Sequence, residues 1–206
     1  MTSGRIQPLP TTLLTELAGR SDYSTAIRGA AVLFVAALTA AASQVSVPLP
    51  FTPVPFTLQP MIVLLGGAAL GSRLGLSSQV LYLAAGIAGL PVFAASPVLP
   101  QGLARLIGPT GGYLMAYPLA AFAAGWLAER GFDRRYLGSV VAMAAGLVVI
   151  FAGGVAWLAW LTPGHAGLGA ALAVGLVPFL PADIVKLFVA AAVMPQIWRL
   201  TGRHRP

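Results

Sequence analysis

The chain contains no cysteine, which excludes disulfides, thiol chemistry and cysteine-held iron–sulfur clusters. It is also poor in charge. Only 8% of its 206 residues are Asp, Glu, Lys or Arg, against about 25% in soluble domains. Lysine occurs once, at Lys186, and histidine twice, at His165 and His204. Neither histidine has a second ligand at metal-binding spacing, so no metal and no cofactor is expected. No histidine lies near a serine within an apolar run, and Asp183 has no second carboxylate in such a run, so catalysis lacks its acid–base pair and the chain is not expected to be an enzyme. The nucleotide-cradling pattern GxxxxGK[ST] is missing too: Gly108–Gly112 reads GPTGG with no lysine after it, so any ATP dependence must come from another protein. No cleavable signal peptide is visible, because the polar start includes Glu16 and Asp22 and lacks an apolar core.

What the chain has instead is apolar length. Hydrophobic residues make up 58% of it, more than a soluble fold of this size can hide. The expected class is therefore an all-α, polytopic membrane protein. Six spans are placed at Ile27–Val47, Thr57–Leu70, Leu74–Leu90, Tyr113–Leu127, Leu137–Leu161 and Ala182–Arg199. The segment Leu168–Val177 is too short to cross alone, and is read as a short interfacial helix or as the first part of one kinked span running to Val193. The expected division is a tail at 1–26, a transmembrane substrate-binding domain at 27–199 and a basic tail at 200–206.

The net charge of +7 could suggest nucleic acid. The arginines instead sit at the edges of apolar runs, the pattern of topology determinants. With six spans and the N-terminus inside, the inner segments hold Arg5, Arg20, Arg28, Arg73, Arg130, Arg134, Arg135, Arg199, Arg203 and Arg205, and the outer ones only Arg105. Both termini are expected in the cytoplasm, the chain in the lipid bilayer of a bacterial plasma (inner) membrane, and no nucleic acid as partner.

Two outer segments are unusual. Pro48–Thr57 reads PLPFTPVPFT and Pro91–Gly112 reads PVFAASPVLPQGLARLIGPTGG, each with four prolines. Apolar loops stiffened by proline suit a lid over a pocket, or else lie on the membrane interface. Polar residues lie beside them. Asp183 and Lys186 stand three apart, on one helix face, and charges in a span face a cavity or a partner because burying them alone is costly. Gln59 opens the second span and can serve a polar ligand or the helix end. Tyr113 can stack on a ligand or anchor its helix at the interface. Arg105 can bind a carboxylate or sit among headgroups.

Four segments, PVPFTLQ at Pro53–Gln59, GLPVFA at Gly89–Ala94, GPTGGYL at Gly108–Leu114 and PADIVK at Pro181–Lys186, occur in the order and spacing of the biotin transporter BioY family, which the chain resembles from about Leu33 to Leu187. Members are S-components of energy-coupling factor transporters. The resemblance implies a six-helix bundle that holds biotin near the outer face, among Gln59, Phe93, Ser96, Arg105, Tyr113, Asp183 and Lys186. The family pattern has an amide side chain after the PVF stretch; here Ala94, Ala95 and Ser96 follow, and Ser96 or a backbone group would substitute. The resemblance also implies a transmembrane coupling subunit and two ATPase subunits as partners. The coupling subunit would meet the first span at Ala36 and Ala40 or at Ala37 and Ala41. Transport by this subunit alone, as a homo-oligomer, or only with those partners is left open. S-components of the same fold for thiamine or riboflavin are the neighbouring reading, and an intramembrane enzyme using Asp183 the remote one.

Overall fold

A computed structural model describes residues 12–18, 24–96, 99–161 and 167–200. His165, His204, Arg5, Arg20, Arg203 and Arg205 lie outside them. The described chain is a helical bundle. Its helices are α1 (Leu13–Ala18), α2 (Ser24–Gln44), α3 (Gln59–Leu70), α4 (Ser72–Ile87), α5 (Leu103–Ile107), α6 (Gly111–Ala128), α7 (Tyr136–Leu161), α8 (Gly167–Gly175) and α9 (Leu180–Leu200). A single 3-10 turn, Phe132–Arg134, leads into α7.

Each of the six apolar runs is occupied by one helix. Three of these, Thr25–Gln44, Tyr136–Leu161 and Leu180–Leu200, are long and apolar enough to cross a membrane. The shortest, α3, has 12 residues, which at 1.5 Å per residue rise to about 18 Å, less than a hydrocarbon core of about 30 Å. Proline and glycine set the breaks. Pro60 sits in the first turn of α3, where its missing N–H costs nothing. Gly71, at φ 87°, ends α3 and starts α4 with no linker.

The bundle is built around α6, whose alanines and glycines are buried along most of its length. Small residues let the backbones close in. A Cβ at Gly67 would collide with the backbone of Ala121, and one at Gly125 with that of Gly71. Around this core the outward face is apolar: Leu33, Phe34, Leu119, Val148, Trp160 and Val185 are all exposed. A water-facing monomer rarely shows an apolar surface of that extent; lipid is the solvent that suits it.

Four features differ from the reading of the sequence. Part of the N-terminal tail is a helix, because Thr12 and Leu13 find burial against α2 and α3. The Pro91–Gly112 loop contains α5. The Pro48–Thr57 segment is closed by a two-rung antiparallel ladder, Ser46 with Thr57 and Val47 with Phe56. The residues 168–193 do not form one kinked span: α8 ends at Gly175, a turn covers residues 176–179, and α9 begins at Leu180.

Candidate ligand-binding cavity

The proline-rich segment closed by the ladder and the PVF loop meet over one end of the bundle. They roof a cavity whose empty volume, open space at the mouth included, is about 590 Å³. Val54, Phe56 and Thr57 come from the first segment and Phe93 and Ala94 from the second, while α6, α7 and α9 supply Tyr113, Tyr117, Phe151 and Asp183. The roof is anchored. Ser43 Oγ donates to Val92 O at 2.7 Å, and Thr52 Oγ1 donates to Val174 O at 2.7 Å, tying the first segment to α8.

Six of the seven expected ligand residues come together here: Gln59, Phe93, Arg105, Tyr113, Asp183 and Lys186 all line the cavity. Ser96 does not; its Oγ accepts from the Leu99 backbone N–H at 3.2 Å, within its own loop. Ala94 lines the cavity in that stretch of the loop.

The ion pair is closed at the first turn of α9. Asp183 is the fourth helical residue, because the helix begins at Leu180. Lys186 Nζ donates to Asp183 Oδ1 at 2.7 Å and to Thr57 O at 2.6 Å, and stands 3.4 Å from the centroid of the Phe56 ring. The lysine thus joins α9 to the roof. Asp183 is only 6% exposed, and its Oδ2 has no hydrogen bond among the described residues. Asp183 lines the cavity, so this oxygen is the natural place for a ligand N–H.

Gln59 is held from below. Its Nε2 donates to Tyr82 Oη at 2.6 Å, and Tyr82 Oη donates to Val92 O at 3.2 Å. Tyr82 also packs edge-on against Phe93, the ring centroids 5.6 Å apart. Tyr113 does two jobs at once: its ring lies against Gly154, where a Cβ would collide, and its Oη donates to Gly175 O at 2.7 Å, fixing α8. Arg105 is 1% exposed. Its Nε donates to Pro100 O at 2.7 Å and its Nη2 to Ala94 O at 2.6 Å, so it folds the loop around its own guanidinium. Burial lowers its pKa from the ordinary value, yet a guanidinium keeps its proton.

Reading the sequence missed Tyr82, Tyr117, Phe56 and Thr110. Tyr82 could have been found, since a tyrosine inside an apolar run needs a partner for its hydroxyl. Thr110 gave no such signal. Its Oγ1 is buried in the cavity wall and has no hydrogen-bond partner among the described residues.

The first span shows which of its two alanine pairs is free. Ala36 is buried and Ala40 half-buried against the core, whereas Ala37 and Ala41 are exposed, in line with Leu33 and Phe34.

Known proteins share both the sequence and the architecture. A protein from Pyrococcus horikoshii described as a probable biotin transporter BioY is 41% identical over 168 residues, covering 80% of this chain and 91% of its own. A biotin transporter BioY from Thermotoga maritima is 40% identical over 154 residues, 74% of this chain and 83% of its own. A crystal structure of the S-component for biotin from an ECF-type ABC transporter superposes with a TM-score of 0.76 at 24% identity, over 88% of this chain and 95% of that one, and shows the same fold. The BioY family model itself matches residues 17–203, so nearly the whole bundle is accounted for and the chain belongs to the BioY family.

Proposed function

We propose that this chain is the biotin-capturing S-component of an ATP-driven uptake system. Six helices, α2, α3, α4, α6, α7 and α9, cross the bacterial plasma membrane with both termini in the cytoplasm. The ten-to-one arginine bias supports that orientation, and it sets the cavity at the outer face. The observation that carries the reading is the convergence of one ion pair, one amide and a set of aromatic rings on an otherwise apolar cavity.

The chemistry matches biotin group by group. The ureido ring has two N–H donors and one carbonyl. Asp183 Oδ2 accepts from one N–H, and the Lys186 ammonium, which already donates to Asp183 Oδ1 and Thr57 O, gives its third N–H to the carbonyl. The apolar bicycle lies among Phe93, Tyr113, Tyr117 and Phe151. The valerate carboxylate faces the Arg105 side. Arg105 acts through charge and by shaping its loop, since its Nε and Nη2 are already taken by the loop's own carbonyls. Thr110 Oγ1 completes the polar set: its missing partner is supplied by the ligand.

The exposed pair Ala37 and Ala41 is the docking stripe for the transmembrane coupling subunit, because small residues allow close helix approach and only this pair faces away from the bundle. Two ATPase subunits complete the module.

Titration calorimetry of the purified, detergent-solubilised protein tests the reading. Tight, one-to-one binding of biotin with none of thiamine or riboflavin is expected. Binding of either of the other vitamins in preference to biotin would overturn the substrate, and turnover of bound biotin, seen by mass spectrometry, would overturn the transport role.

A further inference from the structure

The other end of α9 holds a second concavity, of about 640 Å³ with its mouth, lined by Arg134, Arg135, Tyr136, Pro195, Gln196 and Arg199. Three guanidinium groups around one space repel one another, and no acidic residue lines it. The two acids nearest in sequence make their hydrogen bonds away from this space, although the charge of Asp133 bears on Arg134 and leaves the other two arginines unbalanced. Asp133 Oδ2 accepts from Trp198 Nε1 at 2.6 Å, and Glu129 Oε1 accepts from Ser72 N at 2.7 Å and from Ser72 Oγ at 2.8 Å. Arg134 Nε is buried without a hydrogen-bond partner among the described residues, its guanidinium 4.9 Å over the Trp198 ring. Tyr136 opens the 26-residue helix α7, so the positive end of a long helix dipole borders the same space. Arg130 adds to the basic rim through an adjoining depression that also uses Arg135 and Tyr136.

The surroundings are apolar in a way that a site for a small soluble anion does not need. Leu137 is 76% exposed and Leu200 86% exposed, and Phe132 is exposed as well. A phosphate over the arginines would have room for greasy tails alongside. Basic pockets between helices on the cytoplasmic side take anionic headgroups in this manner, and arginine matches a phosphate with two parallel N–H donors. We propose that this concavity binds the headgroup phosphate of an anionic phospholipid, gripped by Arg134, Arg135 and Arg199. That the lipid belongs to the cytoplasmic leaflet rests on the orientation proposed above; the headgroup chemistry does not.

Native mass spectrometry of the purified full chain, with phosphatidylglycerol, phosphatidylcholine or inorganic phosphate added, tests this. Phosphatidylglycerol should stay bound at collision energies that strip phosphatidylcholine. The double variant Arg135→Gln/Arg199→Gln should lose at least fivefold of that retention with biotin titration unchanged, and Arg135→Lys should fall between. Arg28→Gln/Arg73→Gln removes as much charge from another exposed site and should change nothing. Equal retention of the two lipids, equal loss in the Arg28/Arg73 control, or displacement of lipid by inorganic phosphate would each overturn the lipid site. Binding of neither lipid nor phosphate would hand the arginines to a protein partner and also overturn it. A wild type that held phosphatidylglycerol but not biotin would sink the transport reading and leave this one standing.

Discussion

Two buried aspartates sit at opposite ends of the bundle and do different work. Asp183 lines a cavity, shares one oxygen with Lys186 and keeps the other uncommitted. Asp133, 1% exposed, lies just before α7 and binds Trp198 of α9 through Oδ2, while Ser139 Oγ donates to its backbone carbonyl at 3.2 Å; its Oδ1 also lacks a partner among the described residues, but no cavity lies in front of it. The first is arranged around empty space and the second around neighbouring helices. Burial of a charge therefore does not by itself mark a ligand site. The space in front of the charge does.

The sharpest way to break this contrast is to change the cavity pair. Asp183→Asn and Lys186→Ala should each weaken biotin binding at least tenfold in calorimetry while the protein still inserts. Lys186→Ala should also lower thermal stability, since it leaves a buried carboxylate without its cation, a loss of about 3–5 kcal/mol for a buried pair. Asp183→Asn/Lys186→Met should regain part of that stability and still fail to bind. Unchanged affinity in both single variants would sink the site assignment.

Tyr113→Phe removes the bond to Gly175 O but keeps the ring. A neutral hydrogen bond contributes about 1 kcal/mol, so biotin should leave roughly fivefold faster, as stopped-flow release would show. Thr110→Val should act with opposite signs on two readouts. It removes an unsatisfied hydroxyl, so the ligand-free protein should melt slightly higher, while biotin binds a few-fold more weakly. If affinity and melting both stayed put, the hydroxyl would have no part in the site.

Asp133→Asn is the counterpart and should leave biotin affinity alone. Its effect should appear in pH dependence. Burial raises the Asp133 carboxyl to about 6, against the opposing pull of Trp198 and the charge of Arg134. Between an unfolded pKa near 4 and that value the folded state holds the extra proton, so stability falls as pH rises through the window and is lowest above it. The melting temperature in detergent should therefore climb between pH 7 and pH 5, and Asp133→Asn should flatten that slope. A slope unchanged in the variant would assign the titration elsewhere.

The residues that were legible in the sequence are those whose chemistry is out of place in lipid. Lys186 and Asp183 are conspicuous inside an apolar run, and the run ends at Leu70 and Leu161 mark helix ends without any structure. Short elements were not legible, because tertiary contacts make them. α5 has five residues, and Arg105 within it gathers the carbonyls of Ala94 and Pro100. The ladder at Ser46 and Thr57 has two rungs. The same limit governs the site. Gln59 was visible as an amide at a helix start, but Tyr82, 23 residues on, holds it only in the folded bundle. The alanine stripe was visible in two registers one residue apart, and only packing separates buried Ala36 from exposed Ala37.

A crystal structure of the protein loaded with biotin would show which end of the bundle holds the ligand. Ligand density is expected in the cavity beneath the Val54–Thr57 roof, with a ureido N–H on Asp183 Oδ2, the bicycle against Phe93 and Tyr113, and a biotin oxygen within reach of Thr110 Oγ1. Biotin seated instead among Arg134, Arg135 and Arg199, or an unchanged cavity with Asp183 Oδ2 still without a partner, would contradict it.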